Sequence, residues 1–153
     1  MNNELFLNEK DVSEYIYKYL KEKINNYNIK IIREGKLNYH INNGYELSHK
    51  SDIMLESDNK IFSIEIKFKS AVTDQFKCRS YDIIHLKKEY KNLIGILIYL
   101  KHKDYGIIIE RARNICYGFD YFIGIEYNSS FNSNKLDQLI NIITGQIKKG
   151  NIL

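Results

Sequence analysis

Three residues with the chemistry to act on a substrate lie close together in this sequence: Asp52, Glu65 and Lys67. Asp52 stands in the segment Ser51–Leu55, and Glu65 and Lys67 stand in the segment Phe62–Phe68. We expect Asp52 to end one strand and the Glu-x-Lys pair to lie on the next strand, after a tight connection. Because side chains on neighbouring strands meet on one face, two carboxylates and an ammonium would share one patch of sheet. Such a patch can hold a divalent cation and an activated water.

The strand that carries Glu65 is predicted to have two unlike faces, because successive side chains of a strand point in opposite directions. One face is apolar and the other is polar. The apolar face comprises Phe62, Ile64, Ile66 and Phe68, and the polar face comprises Ser63, Glu65, Lys67 and Lys69. An ordinary hairpin with Glu and Lys on its solvent side would give the same local pattern. The catalytic interpretation therefore depends on the surrounding segments.

A helix is predicted upstream of these strands, with Asn8 as its N-cap and acidic residues in its first turn. Val12, Ile16 and Leu20 recur at helical spacing and predict the stripe that docks on the sheet. Glu9 lies three residues before Val12, which places it on the same stripe at its open end. A simpler role, in which Glu9 only interacts with the helix dipole, also fits this position.

The Asp52, Glu65 and Lys67 pattern resembles the active-site signature of the PD-(D/E)xK nuclease superfamily. The resemblance spans roughly residues 9–100 and departs from the family at Ser51, which stands where the name-giving proline usually does; the chain contains no proline. That proline stiffens the approach to the acid and takes no part in the chemistry. The resemblance implies a restriction endonuclease-like α/β fold, with a mixed central β-sheet flanked by α-helices. We expect residues 1–153 to form a single domain of this kind.

The same resemblance implies metal-dependent hydrolysis of a phosphodiester bond. Asp52, Glu65 and the main-chain carbonyl of Ile66 would bind Mg²⁺, for which Mn²⁺ could substitute. Glu9 would complete the metal cluster, as a first-helix Glu does in many members, and Glu14 is the second candidate for that role. Lys67 would act as an electrostatic clamp on the attacking water and the phosphate.

The remaining elements fit an α/β domain in which helices cover both faces of the sheet. The segment Arg79–Lys88 resembles, more loosely, the helix that follows the catalytic strand in restriction-type members. The final helix would begin after Ser133 and Asn134. In chain order the sequence predicts a helix over 72–92, strands at Leu93–Leu100, Tyr105–Ile109 and Phe122–Tyr127, and a C-terminal helix with the apolar stripe Leu136, Leu139, Ile140, Ile143 and Ile147.

DNA is the expected partner, and Lys69, Lys77 and Arg79 are the predicted contacts to its phosphates. The formal net charge of +4 fits a polyanion-binding protein without requiring one. A small nuclease of this fold usually cuts both strands as a pair, so we expect a homodimer, and an accessory subunit is compatible with the sequence. The 13 tyrosines suit base stacking, core packing or a dimer contact.

Restriction-type cleavage of duplex DNA is the leading functional hypothesis, with junction resolution or repair cutting as alternatives. Two further hypotheses stay open: a nucleic-acid-binding subunit that is inactive alone or needs a partner, and a structural protein in which the motif arose by chance. Cys78 and Cys116 are expected to be reduced, since the histidines do not offer zinc-ligand spacing. A start without a signal peptide and the shortness of every apolar run predict a cytoplasmic protein.

Overall fold

The structure, a computed structural model, describes residues 8–68, 73–102, 106–127 and 134–150. Within these ranges one helix and five successive strands are followed by alternating helices and strands, and a single turn of 3₁₀ helix at Asn42–Gly44 lies between the second and third strands. The helices are α1 Glu9–Lys23, α2 Thr73–Glu89, α3 Gly106–Ile115 and α4 Asn134–Gly150, and the strands are β1 Lys30–Arg33, β2 Lys36–His40, β3 Glu46–Lys50, β4 Ile53–Glu56, β5 Ile61–Phe68, β6 Leu93–His102 and β7 Tyr121–Tyr127.

Five strands form a mixed sheet in the order β1-β4-β5-β6-β7, and β2 and β3 form a separate antiparallel hairpin. Within the five-stranded sheet, the β1–β4 and β4–β5 pairs are antiparallel, whereas the β5–β6 and β6–β7 pairs are parallel. Parallel neighbours need crossover connections, and α2 and α3 provide them. The structure confirms the predicted fold class, an α/β domain with a mixed sheet flanked by helices.

Helices cover both faces of the sheet, so the central strands are buried on each side. The first face packs against α1 and α4, and the second packs against α2, α3 and the β2–β3 hairpin. On the first face the core includes Val12, Ile16, Leu20, Phe62, Ile64, Ile66, Phe68, Leu136, Leu139, Ile143 and Ile147. The second face carries two clusters, one around Phe76, Leu97, Tyr99, Ala112 and Cys116 and one around Leu37, Tyr39, Met54, Ile83, Leu86 and Leu93.

The prediction of a strand at Tyr105–Ile109 is wrong. Tyr105 lies outside the described residues, and Gly106 begins α3. Three consecutive isoleucines favoured a strand locally. The parallel pairing of β6 with β7 overrides that preference, since the chain must return along the sheet through a crossover. The other predicted strands and helices after β5 are confirmed, with boundaries shifted by a few residues.

Both cysteines are unpaired thiols, Cys78 exposed and Cys116 buried, as expected. In the part of the chain that the structure describes, no helix is both long and apolar enough to cross a membrane.

Candidate active site

The pairing of β4 with β5 brings Asp52 to Glu65. Ile53 lies opposite Ile64 in this antiparallel register, and one step further along places Asp52 beside Glu65. Asp52 does not end a strand as predicted. It lies in the two-residue link between β3 and β4, where its Oδ2 accepts a hydrogen bond of 2.7 Å from the main-chain N–H of Ile66.

The backbone of this link is held by the tight turn between β1 and β2. The N–H of Glu34 donates to the carbonyl of Asp52 at 3.0 Å, and the N–H of Ser51 donates to the carbonyl of Gly35 at 2.8 Å. Glu34 has a φ of 53°, a left-handed conformation that is uncommon for residues other than glycine. The turn thus fixes the backbone of Asp52 from the side opposite Glu65.

The carboxylate of Glu65 is buried, and that of Asp52 is partly buried. Burial, followed by the nearby charge of Glu65, raises the pKa of Asp52 to about 7, although the Ile66 N–H and the Lys67 ammonium act in the other direction. Glu65 itself is only 1% exposed. A bound cation would relieve the repulsion between these two acids.

Lys67 and Glu9 meet at the edge of this acid pair. The predicted N-cap is confirmed, since Asn8 Oδ1 accepts from the N–H of Asp11 at 3.0 Å, and Glu9 therefore begins α1. Its Oε1 lies 3.3 Å from Lys67 Nζ, and Lys67 is only 8% exposed. Glu14 pairs instead with Lys18 on the outer surface of α1. Of the two acids considered for the cluster, Glu9 is the one that lies beside the predicted site.

A buried histidine that sequence reasoning did not select completes the surroundings of Glu65. His49 Nε2 lies 2.5 Å from Glu65 Oε1, and its Nδ1 lies 3.0 Å from Asp82 Oδ2. Tyr39 donates its hydroxyl to Asp82 Oδ1 at 2.7 Å. These four residues, Tyr39, Asp82, His49 and Glu65, form a continuous hydrogen-bonded chain, which we call the buried relay.

Burial opposes a charge on His49, but its hydrogen bonds to Asp82 and Glu65 outweigh burial and raise its pKa to about 9. Burial likewise opposes the charge on Asp82, yet hydrogen bonds from His49 and Tyr39 hold the pKa of that carboxyl below its usual range. The buried relay therefore carries a cationic imidazole between two carboxylates. The alternation of Leu47 and His49 along β3 could have indicated a shared face, but nothing in the sequence indicated which acids that face would meet.

The predicted phosphate contacts have three different outcomes. Lys69 lies outside the described residues. Lys77 is exposed on α2. Arg79 points inward, with Nε 3.8 Å from Glu65 Oε2 and Nη1 4.0 Å from Asp82 Oδ2. Its guanidinium therefore belongs to the surroundings of the buried relay, although about a third of the side chain remains open to solvent.

Asp52 opens into a cleft of about 230 Å³ between the start of α1 and the β1–β2 turn. Two carboxylates of the predicted cluster, Asp52 and Glu9, line it together with one guanidinium. The lining residues are Glu9, Lys10, Ser13, Arg33, Glu34 and Asp52. Solvent thus has a route to Asp52 that is separate from the buried relay.

The oxygen donors of the predicted metal set suit a hard cation such as Mg²⁺. Asp52, in the link before β4, lies beside Glu65 and Ile66 of β5, and burial followed by the charge of Glu65 raises the pKa of Asp52. Over the described residues, no three His, Cys, Asp or Glu side chains are already grouped closely enough to hold a metal. Glu65 would have to share its carboxylate between a cation and its contacts with His49 and Arg79.

No protein-family model matches this chain, and a search of curated proteins gives no match. Among solved structures, the chain is similar to a protein of unknown function, AF1548, with a TM-score of 0.45 and 10% sequence identity. The similarity covers 82% of this chain and 66% of that chain, so this chain spans slightly less than two thirds of its length.

Proposed function

We propose that this protein is a metal-dependent endonuclease that hydrolyses phosphodiester bonds in DNA. The observation that supports this most is that Asp52, in the link before β4, lies beside Glu65 and Ile66 of β5, with the buried Lys67 ammonium at their edge. Two acids and a lysine in this arrangement match the chemistry that the sequence motif implies. A restriction endonuclease-like fold and restriction-type cleavage of duplex DNA are the finer parts of the same proposal.

Each residue has a defined task in this proposal. Asp52, Glu65 and the Ile66 carbonyl would hold Mg²⁺, and Glu9 would complete the shell directly or through water. A bound Mg²⁺ supplies charge stabilisation for the scissile phosphate and lowers the pKa of its bound water. Lys67 is held by Glu9 at the rim of the acid pair, where its ammonium would orient the attacking water and the phosphate. His49 keeps one oxygen of Glu65 fixed and leaves the other directed toward Arg79.

DNA is the proposed polymer because its phosphates complement the cations around the site. Arg33 lines the cleft of Asp52, and Lys77 is exposed on α2. Contacts of this kind position the backbone without reading its sequence. A homodimer that cuts both strands belongs to the proposal, and light scattering at working concentration tests it.

The test is cleavage of supercoiled plasmid by purified protein with Mg²⁺, Mn²⁺, Ca²⁺ or EDTA. Nicking or linearisation with Mg²⁺ or Mn²⁺, absent in EDTA, is the expected result. Cutting that persists in EDTA contradicts the proposal, as does intact plasmid under every metal condition at micromolar protein.

A second candidate is a nucleic-acid-binding or structural protein in which the acids serve only the fold. It is favoured by the engagement of Glu65 with both His49 and Arg79, an arrangement that satisfies its charge without a metal. Metal binding separates the two candidates, because a purely structural network has no affinity for Mn²⁺ that depends on Asp52.

A further inference from the structure

A second cleft lies at the far end of the buried relay from Glu65. It has a volume of about 560 Å³ and lies between the β2–β3 hairpin and α2. We call it the aromatic cleft; it is lined by Tyr39, Leu47, Lys77, Cys78, Tyr81, Asp82 and Tyr117. Its volume is within the range of small-molecule sites, which are roughly 300 to 1,000 Å³.

Most of the exposed large apolar side chains in the described part of the chain line the aromatic cleft. In the described part of the chain, the large apolar residues open to solvent are Tyr45, Leu47, Tyr81 and Tyr117. Three of these four, all except Tyr45, line this one cleft. An exposed apolar cluster around a concave site points to a ligand, and tyrosine rings suit a flat one.

Next to Tyr117 and Tyr81, the backbone at Gly118 packs closely against α2. A Cβ added at Gly118 would lie 2.2 Å from the carbonyl oxygen of Ser80 in α2, so only glycine allows this close approach. Tyr117, next to this contact, and Tyr81, next to Ser80 on α2, both line the aromatic cleft. Tyr81 in turn packs against the ring of His85, with centroids 4.3 Å apart.

Polar groups in the aromatic cleft define what kind of flat ligand it suits. Asp82 reaches the cleft and uses one oxygen for Tyr39 and the other for His49. An ionised carboxylate offers about four acceptor positions; with Arg79 Nη1 also 4.0 Å from Oδ2, Asp82 has at most two left for N–H groups of a ligand. Lys77 supplies an exposed ammonium on the cleft wall. A flat ring with N–H groups on its edge and an anionic substituent is the chemistry of a nucleotide.

We propose that the aromatic cleft binds a single nucleobase that has left its stack, between Tyr81 and Tyr117, with Lys77 on the adjacent phosphate. This inference rests on the proposed function and deepens it, because it makes a strand with an unstacked base the substrate class. Asp82 and Glu65 are separated by one imidazole, so the base would lie one side chain away from the acid pair. The base comes either from a single strand or from a duplex that has flipped it out.

The test is fluorescence anisotropy and 2-aminopurine emission in EDTA, where cleavage cannot occur. Three DNA probes are used: a single strand with one central 2-aminopurine, the same strand with an abasic position there, and a duplex of the first. Tyr81→Leu and Tyr117→Leu are compared with wild type, with Tyr81→Phe as the conservative variant. Tyr45→Leu is the matched control, because Tyr45 and Tyr117 are both 68% exposed and Tyr45 does not line the cleft.

Stacking predicts that Tyr81→Leu and Tyr117→Leu each weaken binding by roughly 5- to 100-fold, while Tyr81→Phe and Tyr45→Leu stay within about twofold of wild type. The abasic strand is expected to bind as weakly as the leucine variants, and 2-aminopurine emission to fall on binding. Tight duplex binding with an altered 2-aminopurine emission identifies base flipping, and failure to bind the duplex identifies a single-strand site. Equal binding by Tyr81→Leu and Tyr45→Leu, or of the abasic and base-bearing strands, overturns the inference.

The plasmid assay keeps the two proposals apart. Loss of base binding in the tyrosine variants, together with no cleavage of plasmid or single-stranded DNA under every metal condition, leaves the aromatic cleft standing and removes the nuclease. Metal-dependent cleavage of single-stranded and duplex DNA that the Tyr81→Leu, Tyr117→Leu double variant performs at the wild-type rate removes the aromatic cleft and leaves the nuclease.

Discussion

His49 lies with its Nε2 2.5 Å from the carboxylate of Glu65, and neither side chain is more than 1% exposed. The imidazole contacts Asp82 with its other nitrogen, so it bridges two acids that are distant in sequence. Its charge offsets part of the negative charge beneath the candidate metal site. Stability and metal binding should therefore both depend on this contact.

The first prediction concerns His49→Gln. Removing a buried cation leaves Glu65 and Asp82 facing one another, and breaking a buried pair in this way typically costs about 3 to 5 kcal/mol. Urea unfolding at pH 6 should show a loss in this range. The control is His40→Gln, because His40 pairs with Glu89 on the surface and should cost less than about 1 kcal/mol. Equal losses in the two variants would refute the structural role of the buried relay.

The pH dependence of that loss follows from the pKa of His49, which folding raises from 6.5 to about 9. The protonated imidazole contributes its full stabilisation below pH 6.5, and the contribution disappears as the pH rises through about 9. The difference between wild type and His49→Gln should thus be largest near pH 6 and should shrink above pH 9. A constant difference from pH 6 to pH 10 would contradict this assignment.

The second prediction is that Asp52→Asn stabilises the metal-free protein at alkaline pH. Folding raises the pKa of Asp52 from 3.8 to about 7, so the folded state holds a proton that the unfolded chain releases, and stability falls as the pH rises across that interval. The variant should be more stable than wild type by roughly 4 kcal/mol at pH 8 and nearly equal at pH 4. Asp58→Asn, in the exposed β4–β5 turn, is the control and should show no such trend. If Asp52→Asn is less stable than wild type at pH 8, the ionised Asp52 carboxylate does not destabilise the metal-free protein.

The third prediction addresses Lys67. Loss of one preorganised charged contact in an active site costs roughly 3 to 4 kcal/mol of barrier, or about 100- to 1,000-fold in rate. Lys67→Ala should cleave at least about 100-fold more slowly than wild type, while its circular dichroism spectrum stays unchanged. Lys18→Ala, which removes an exposed lysine from α1, should cleave at the wild-type rate. A Lys67→Ala protein that cleaves as fast as Lys18→Ala would exclude Lys67 from the chemistry.

The fourth prediction separates the two acids of the first helix. Glu9→Gln removes the partner of Lys67 and should slow cleavage by about 10-fold or more, because general positioning effects in active sites are of this size or larger. Glu14→Gln disturbs only the surface pair with Lys18 and should leave the rate unchanged within about twofold. The opposite ranking of the two rates would reassign the first-helix acid to Glu14.

Much of the fold could be predicted because local periodicity and tertiary pairing agree. The apolar face of β5, from Phe62 to Phe68, is confirmed because alternation along a strand fixes which residues meet α1 and α4. The start of α1 is confirmed because Asn8 is a local capping signal. In α3 the local preference of three isoleucines for a strand disagreed with the sheet topology, and the topology determined the structure.

The candidate site could be predicted only in part, for a related reason. Asp52, Glu65 and Lys67 are close in sequence, and the pairing of β4 with β5 brings the link that carries Asp52 beside β5, so their proximity follows from a short connection. His49 meets Glu65 across 16 residues and Asp82 across 33. Contacts of that range depend on how the β2–β3 hairpin packs on α2, which no spacing rule encodes. The inward direction of Arg79 has the same origin.

The central claim is that Asp52 and Glu65 hold a divalent cation, and a Mn²⁺ titration followed by electron paramagnetic resonance tests it most directly. At pH 8 the wild-type protein should bind Mn²⁺ with a Kd between micromolar and millimolar, and Asp52→Asn should lose that binding. Because a proton competes at Asp52, whose pKa is about 7, affinity should fall when the titration is repeated at pH 6. Absence of binding up to millimolar Mn²⁺, or equal binding by wild type and Asp52→Asn, would contradict the account.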